Sequence, residues 1–473
     1  MHWIDFLLIS FFIIGFPIYG YLQRKRNKTI EDYFLGGRNI PWYVAMMSIV
    51  ATETSVLTFI SVPGLSYSGN WTFLQLSLGY IIGRLGVSAL LLPIYFEKGV
   101  ISIYQIIGIR FNLSMQRISS LVFLATRLLA DGVRFLATAV IVQILTGWSI
   151  FTSIFIIGCT TLIYSFFGGI RSILWIDFFQ FILYLFGGLT AIIIGLSYVE
   201  LSFFDLFSYL SNREKLQLFE FSGNPIGNSY HFVSALIGGI FLSLASHGID
   251  HMMVQRVLST KNLISAKKAM IGSGILILFQ FTVFLFVGSL IFILMGDKPI
   301  EQDREFTTFI IEYVPVGLRG LLLAGAISAA MSTLSSSINS LTTSTVVDIF
   351  DKNSSLKASK LISLLWGIVL MIFAFLFDET NSSLIEVGLR IASFTYGGLL
   401  GLFFLSKINL KINPLYPPLG LVSSMILVFF LDSWGFAWTW FVLISSLANV
   451  LLVVSLQQVC LLYTSPSPRD IGE

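Results

Sequence analysis

Residues 328–345 read Ser-Ala-Ala-Met-Ser-Thr-Leu-Ser-Ser-Ser-Ile-Asn-Ser-Leu-Thr-Thr-Ser-Thr, and eleven of these eighteen side chains are hydroxyls inside an otherwise apolar run over 316–349. Such a helix does not face lipid. Ala329, Ser332 and Thr333 stand at i, i+3 and i+4, so a carbonyl and two hydroxyls share one face; Ser332, Ser335 and Ser336 repeat the spacing one turn on. Few, uncharged oxygens of this kind suit a hard monovalent cation such as Na⁺. Close helix packing through small residues is the structural alternative.

The rest of the chain explains why those hydroxyls matter. Of 473 residues, 56% are hydrophobic and 11% charged, and the mean hydropathy is +0.87. That composition excludes a soluble enzyme. Twenty-eight Lys and Arg against 25 Asp and Glu give a net charge of +3, so the balance points to neither nucleic acid nor a polybasic surface. Cys159 and Cys460 are too few for a disulfide framework or a cysteine metal site.

Apolar runs of about 20 residues predict membrane helices. Thirteen are expected, near 3–22, 41–64, 72–96, 118–146, 149–167, 173–199, 230–255, 266–295, 316–349, 359–378, 382–405, 416–431 and 435–457. The fold class is therefore an all-α membrane protein, with residues 1–459 as a single transmembrane domain. With the N-terminus outside, eighteen Lys and Arg fall on the cytoplasmic side, against Arg213, Lys215, Lys298 and Arg304 opposite. The first run lacks a basic leader, and Arg24, Lys25 and Arg26 follow it, as at the cytoplasmic end of an anchored helix. Residues 460–473 form a short tail, and Leu462 to Asp470 resemble translated sequencing adapter.

Polar residues inside the runs mark function. The second run, Met47 to Gly64, places Glu53, two flanking threonines and Ser55 at mid-membrane ahead of Pro63, which predicts a broken helix lining a cavity. The fourth carries Arg127, Asp131 and Arg134 on one face, with one positive charge left over. Glu53 is the favoured partner for that charge, and a solute carboxylate the alternative. Asp177 follows the Gly168-Gly169 hinge; it either pairs with Arg256 or serves as an ion ligand. His247 and His251, at i and i+4, lack a third metal ligand, so helix-end capping is the reading preferred for them.

Three segments together resemble the sodium/solute symporter family. Tyr164 to Gln180 is similar to its glycine-pair, tryptophan, aspartate and glutamine signature; Met253 to Lys268 resembles its Val-Gln-Arg-x-Leu-Ser-x-Lys cytoplasmic motif; the hydroxyl-rich helix with Asn339-Ser340 matches without gaps. The resemblance implies a LeuT-type fold of two inverted five-helix repeats, over 41–199 and 230–405, with one extra N-terminal and two extra C-terminal helices. It implies sodium held by Ala51, Thr54, Ala329, Ser332 and Thr333, and a second sodium held by Asp177, Ser332, Ser335 and Ser336. The solute pocket is expected to draw on Glu53, Ser55, Thr58, Gln75, Arg134, Ser243 and His247. The implied activity is sodium-coupled symport of a small organic solute across the cytoplasmic membrane, by a monomer in the lipid bilayer. Alternatives are proton coupling through Glu53, an ion channel, and a transporter-like sensor, which would need an output domain beyond Gln458.

Overall fold

A computed structural model describes residues 2–54, 56–296, 298, 300–350, 355–376 and 384–464. Ser55 and the tail from 465 on lie outside the described residues. In chain order the helices are α1 (Trp3–Gln23), α2 (Ile30–Leu35), α3 (Trp42–Glu53), α4 (Val56–Ser68), α5 (Leu74–Leu90), α6 (Leu92–Lys98), α7 (Tyr104–Arg110), α8 (Leu113–Thr146), α9 (Ile150–Tyr198) and α10 (Phe203–Asn212). They continue with α11 (Phe232–Gly248), α12 (His251–Leu258), α13 (Leu263–Met295), α14 (Glu305–Tyr313), α15 (Leu318–Ser344), α16 (Leu356–Ala374), α17 (Leu384–Lys407), α18 (Tyr416–Ser433) and α19 (Phe441–Thr464). The described residues form no strand beyond an isolated bridge between Ile40 and Thr260.

Among the described residues, eight helices are long and apolar enough to cross a membrane. The number rises to ten when each of two bent pairs counts as one span, α3 with α4 at 61° and α11 with α12 at 63°. Two of the thirteen expected runs, 149–167 and 173–199, are joined in α9. The backbone turns inside it at Gly169 (φ 58°, ψ −163°), a conformation a side chain would strain.

The hydroxyl-rich helix α15 runs through the middle of the molecule. Every residue from Leu322 to Ser344 is buried. Away from water its hydroxyls turn back on their own helix, Ser336 to the Ser332 carbonyl (2.7 Å), Ser337 to Thr333 (3.0 Å) and Thr343 to Asn339 (2.8 Å). Around it pack α1, α3, α8, α9, α12 and α16. A second close contact joins α5 to α11, where a Cβ on Gly79 would stand 2.8 Å from the Gly239 Cα. Small residues let these backbones approach, as helices in lipid require. That crossing brings α5 and α11 up beside the break between α3 and α4.

Candidate functional site

Helix α3 stops at Glu53 for local reasons. Thr54 leaves helical geometry (φ −91°, ψ 79°), and its N–H and hydroxyl both donate to the Val50 carbonyl, at 2.9 and 2.5 Å. Threonine hydroxyls compete in this way with the helical ladder, and a helix end frees its last carbonyls. Opposite the break stands α15. Thr333 Oγ1 lies 3.5 Å from the Thr52 carbonyl and 3.4 Å from that of Ala329, and Thr52 Oγ1 lies 3.4 Å from Ser332 Oγ. The structure thus brings Thr52, at the end of α3, to Ser332 and Thr333, neutral oxygens facing one another between two helices.

A second cluster sits beside the first. Asp177 of α9 is fully buried and accepts from Ser48 Oγ at 2.6 Å. Arg256 of α12, also fully buried, lies 3.4 Å from Asp177 Oδ2. The expected pairing is therefore present. The same guanidinium donates to Thr52 Oγ1 (2.6 Å), Ser48 Oγ (3.0 Å) and Ser336 Oγ. Ser335 instead donates to the Ser332 carbonyl at 3.0 Å. Asp177 and Ser336 are thus gathered around the Arg256 guanidinium, with Ser335 turned aside.

The surplus charge on α8 is met by a different partner from the one expected. Arg127 donates to Asp250, at the break between α11 and α12, and to the Tyr396 hydroxyl. Asp131 takes Arg134 at 3.3 Å and the Ser337 hydroxyl at 2.5 Å. Glu53 is engaged elsewhere, by Arg84 of α5 and by His247 Nε2 at 3.5 Å. The physical reason is reach: Asp250 leaves the helical ladder where α11 bends, directly against Arg127. Arg84 was not singled out from the sequence. The signal was an arginine in the middle of the 72–96 run, since a base at membrane depth must find an acid.

The expected solute residues divide. Glu53 and His247 meet, and His247 Nδ1 lies 2.8 Å from Ser246 Oγ. Thr58 is buried on α4, in the half of the broken pair beyond Ser55. Arg134 lines a small gap with Asp131, Thr138 and Thr333. Ser243 donates to the Tyr80 carbonyl at 3.1 Å and so stands at the α5 to α11 crossing. Gln75 does not join the others: its amide holds the Thr72 and Tyr230 carbonyls (2.9 Å each) and the Glu220 N–H (3.2 Å). His251 is buried 6.4 Å from the Phe123 ring, centroid to centroid, and caps nothing. Among the described residues no three of His, Cys, Asp and Glu group to hold a metal ion.

Comparison with known proteins agrees with this architecture. The human sodium-coupled monocarboxylate transporter 2 is 26% identical over 429 residues, covering 87% of this chain and 69% of the relative. The sodium/sialic acid symporter SiaT of Proteus mirabilis is 26% identical over 457 residues, covering 90% and 88%. A solved sodium-coupled sialic acid symporter, substrate-bound and outward-open, shares the fold with a TM-score of 0.87 at 22% identity, over 96% of this chain and 98% of that one. A nucleobase-cation-symport-1 family transporter in a closed conformation follows at 0.58 and 15% identity, over 92% and 96%. The family model described as the sodium:solute symporter family matches residues 33–404, and the chain belongs to that family.

Proposed function

We propose that this protein imports a small organic solute together with sodium across the cytoplasmic membrane by alternating access. The observation that carries the reading is the meeting of an interrupted helix with the hydroxyl face of α15, where Thr333 Oγ1 lies 3.5 Å from the Thr52 carbonyl. Sodium is held by the carbonyls of Ala51, Thr54 and Ala329 and the hydroxyls of Ser332 and Thr333. Ion binding draws the broken pair onto α15 and so shapes the solute pocket, which Glu53, Ser55, Thr58, Arg134 and His247 line. Ser243 contributes from its wall. A second ion on Asp177, Ser332, Ser335 and Ser336 requires Arg256 to withdraw from their oxygens.

Relatives carry monocarboxylates or sialic acid by name, and one is a sodium/iodide cotransporter, which supports a small cargo without fixing its class. In this reading α9 is two spans meeting at Gly169, and α8 and α17 also cross, giving thirteen spans with the N-terminus outside. The two inverted repeats are 41–199 and 230–405, inside one carrier domain over 1–459 that works as a monomer in the lipid bilayer. The protein moves its cargo without catalysing a reaction on it.

The energy suffices. One charge crossing 100 mV yields about 2.3 kcal/mol and a tenfold sodium gradient about 1.4, so a single ion concentrates a neutral solute roughly 500-fold. The test is a thermal-shift screen of purified protein in sodium against potassium or choline, followed by uptake into proteoliposomes. Stabilisation by sodium alone among these cations, and uptake that follows an imposed sodium gradient, are expected. Uptake indifferent to that gradient overturns the reading.

A further inference from the structure

The charges buried around the break cancel in pairs. Arg84 faces Glu53, Arg127 faces Asp250, Arg134 faces Asp131 and Arg256 faces Asp177. An anionic solute is best held by a guanidinium that has no acid of its own, because the ion pair is what repays desolvation. Each of these four arginines already has one. Anionic cargo therefore meets no free fixed counter-charge here.

One pair differs in access: Glu53 and Asp177 each keep one carboxylate oxygen without a hydrogen-bond partner among the described residues, but Asp177 is 0% exposed. Glu53 Oε2 accepts from Arg84 and lies 3.5 Å from His247 Nε2, too far for a hydrogen bond, whereas Oε1 accepts no hydrogen bond among the described residues. The Glu53 side chain is 16% exposed, and Arg84 behind it is 0% exposed. Arg84 Nε and His247 Nε2 are buried without a hydrogen-bond partner. The cluster thus offers an open acceptor at its accessible end and is itself short of acceptors. An ammonium group only donates, and a carboxylate only accepts and would face the charge on Glu53. A hydroxyl group donates and accepts at once.

We propose that Glu53, Arg84 and His247 form a recognition subsite for a hydroxyl group on a solute of no net charge, with Arg84 as the positioning residue that holds Glu53. This rests on the symport reading and narrows its cargo. Glu53 is joined directly to Thr54, whose carbonyl belongs to the proposed sodium cage, so an ion on the cage fixes the backbone that carries the carboxylate. Ion and hydroxyl are then recognised by adjoining residues of one break.

The experiment offers proteoliposomes, under an inward sodium gradient, size-matched pairs of glucose with glucuronate, galactose with galacturonate and glycerol with glycerate, with lactate and N-acetylneuraminate as further anions. At least one neutral polyol is expected to enter tenfold or more faster than its acid partner. In Glu53→Gln its KM rises tenfold or more while stabilisation by sodium is kept. Because that variant leaves Arg84 buried without an acid, the charge-matched E53Q/R84Q double variant is measured beside it and shows the same loss. Faster entry of acids, no entry of any polyol, or an unchanged polyol KM in the double variant overturns the subsite. Sodium-driven entry of an acid would still leave symport standing, whereas entry that ignores the sodium gradient overturns symport itself.

Discussion

The carboxylate of Asp5 accepts the backbone N–H of Gly317 at 2.7 Å, and that of Gly320 at 2.9 Å, so α1 closes the N-terminal end of α15. An acid at that end satisfies orphan donors and meets the positive pole of the helix. Asp5→Ala is expected to cost about 1–2 kcal/mol of stability, and Asp5→Asn, which keeps an acceptor, less. Melting curves of the two variants in detergent check this, and equal losses would count against a charged cap.

The proposed cage makes a sharper demand on Thr333. Thr333→Val keeps the β-branched shape and removes the hydroxyl, so half-saturation by sodium should rise tenfold or more, about 1.4 kcal/mol of binding. Thr333→Ser should stay within a few-fold of the native value. Sodium titrations of uptake and of thermal stability measure both. A valine variant with native sodium affinity would dissolve the cage.

Breaking a buried pair leaves one charge uncompensated, at about 3–5 kcal/mol. Asp177→Asn and Arg256→Gln should therefore each destabilise strongly, and the double variant by less than their sum. The same Asp177→Asn variant, where it folds, lowers the Hill coefficient for sodium toward one if a second ion uses that carboxylate. An unchanged coefficient removes the second site from the reading.

Gly169 turns the chain where no other residue type fits. A Cβ there would lie 2.7 Å from the Tyr33 carbonyl oxygen and 2.8 Å from its ring. With φ at 58° as well, Gly169→Ala should cost at least about 3 kcal/mol. Near-native melting of that variant would show that α9 can straighten.

Glu305 opens α14, outside the spans, and packs against Gly64 on the far half of the broken pair. Burial pushes its carboxyl from 4.5 up to about 7. The folded state therefore binds a proton that the unfolded chain has already lost. Its contribution is full below about pH 4.5 and is lost as pH rises through about 7, a change of about 3 kcal/mol. Glu305→Gln should flatten that slope and raise stability at pH 8. An identical pH profile in the variant would refute the assignment.

Much of this was legible in the residues, and the remainder follows a physical boundary. Pro63, the threonines around Glu53 and the hydroxyls of 328–345 announce a break and a polar face, because propensity and burial act locally. The pairing of Asp177 with Arg256 was also open to inference, since a buried acid beside a cytoplasmic turn needs a base from the next turn over. Partners across helices were harder. Spacing within α8 shows that Asp131 serves its own neighbours, but it carries no information on which helix faces Arg127, so the residues alone point to Glu53 where Asp250 stands. An amide at the head of a span, such as Gln75, looks alike in sequence whether it meets a cargo or the loops above it.

The acid-base matching around the break has an electrical meaning. A carrier whose emptied centre holds as many fixed negative as positive charges drags no net charge through the membrane field when it resets. Voltage then acts on the leg that bears the ion and not on the empty return, so hyperpolarisation speeds loading and delivery while leaving the recovery stroke to thermal motion alone.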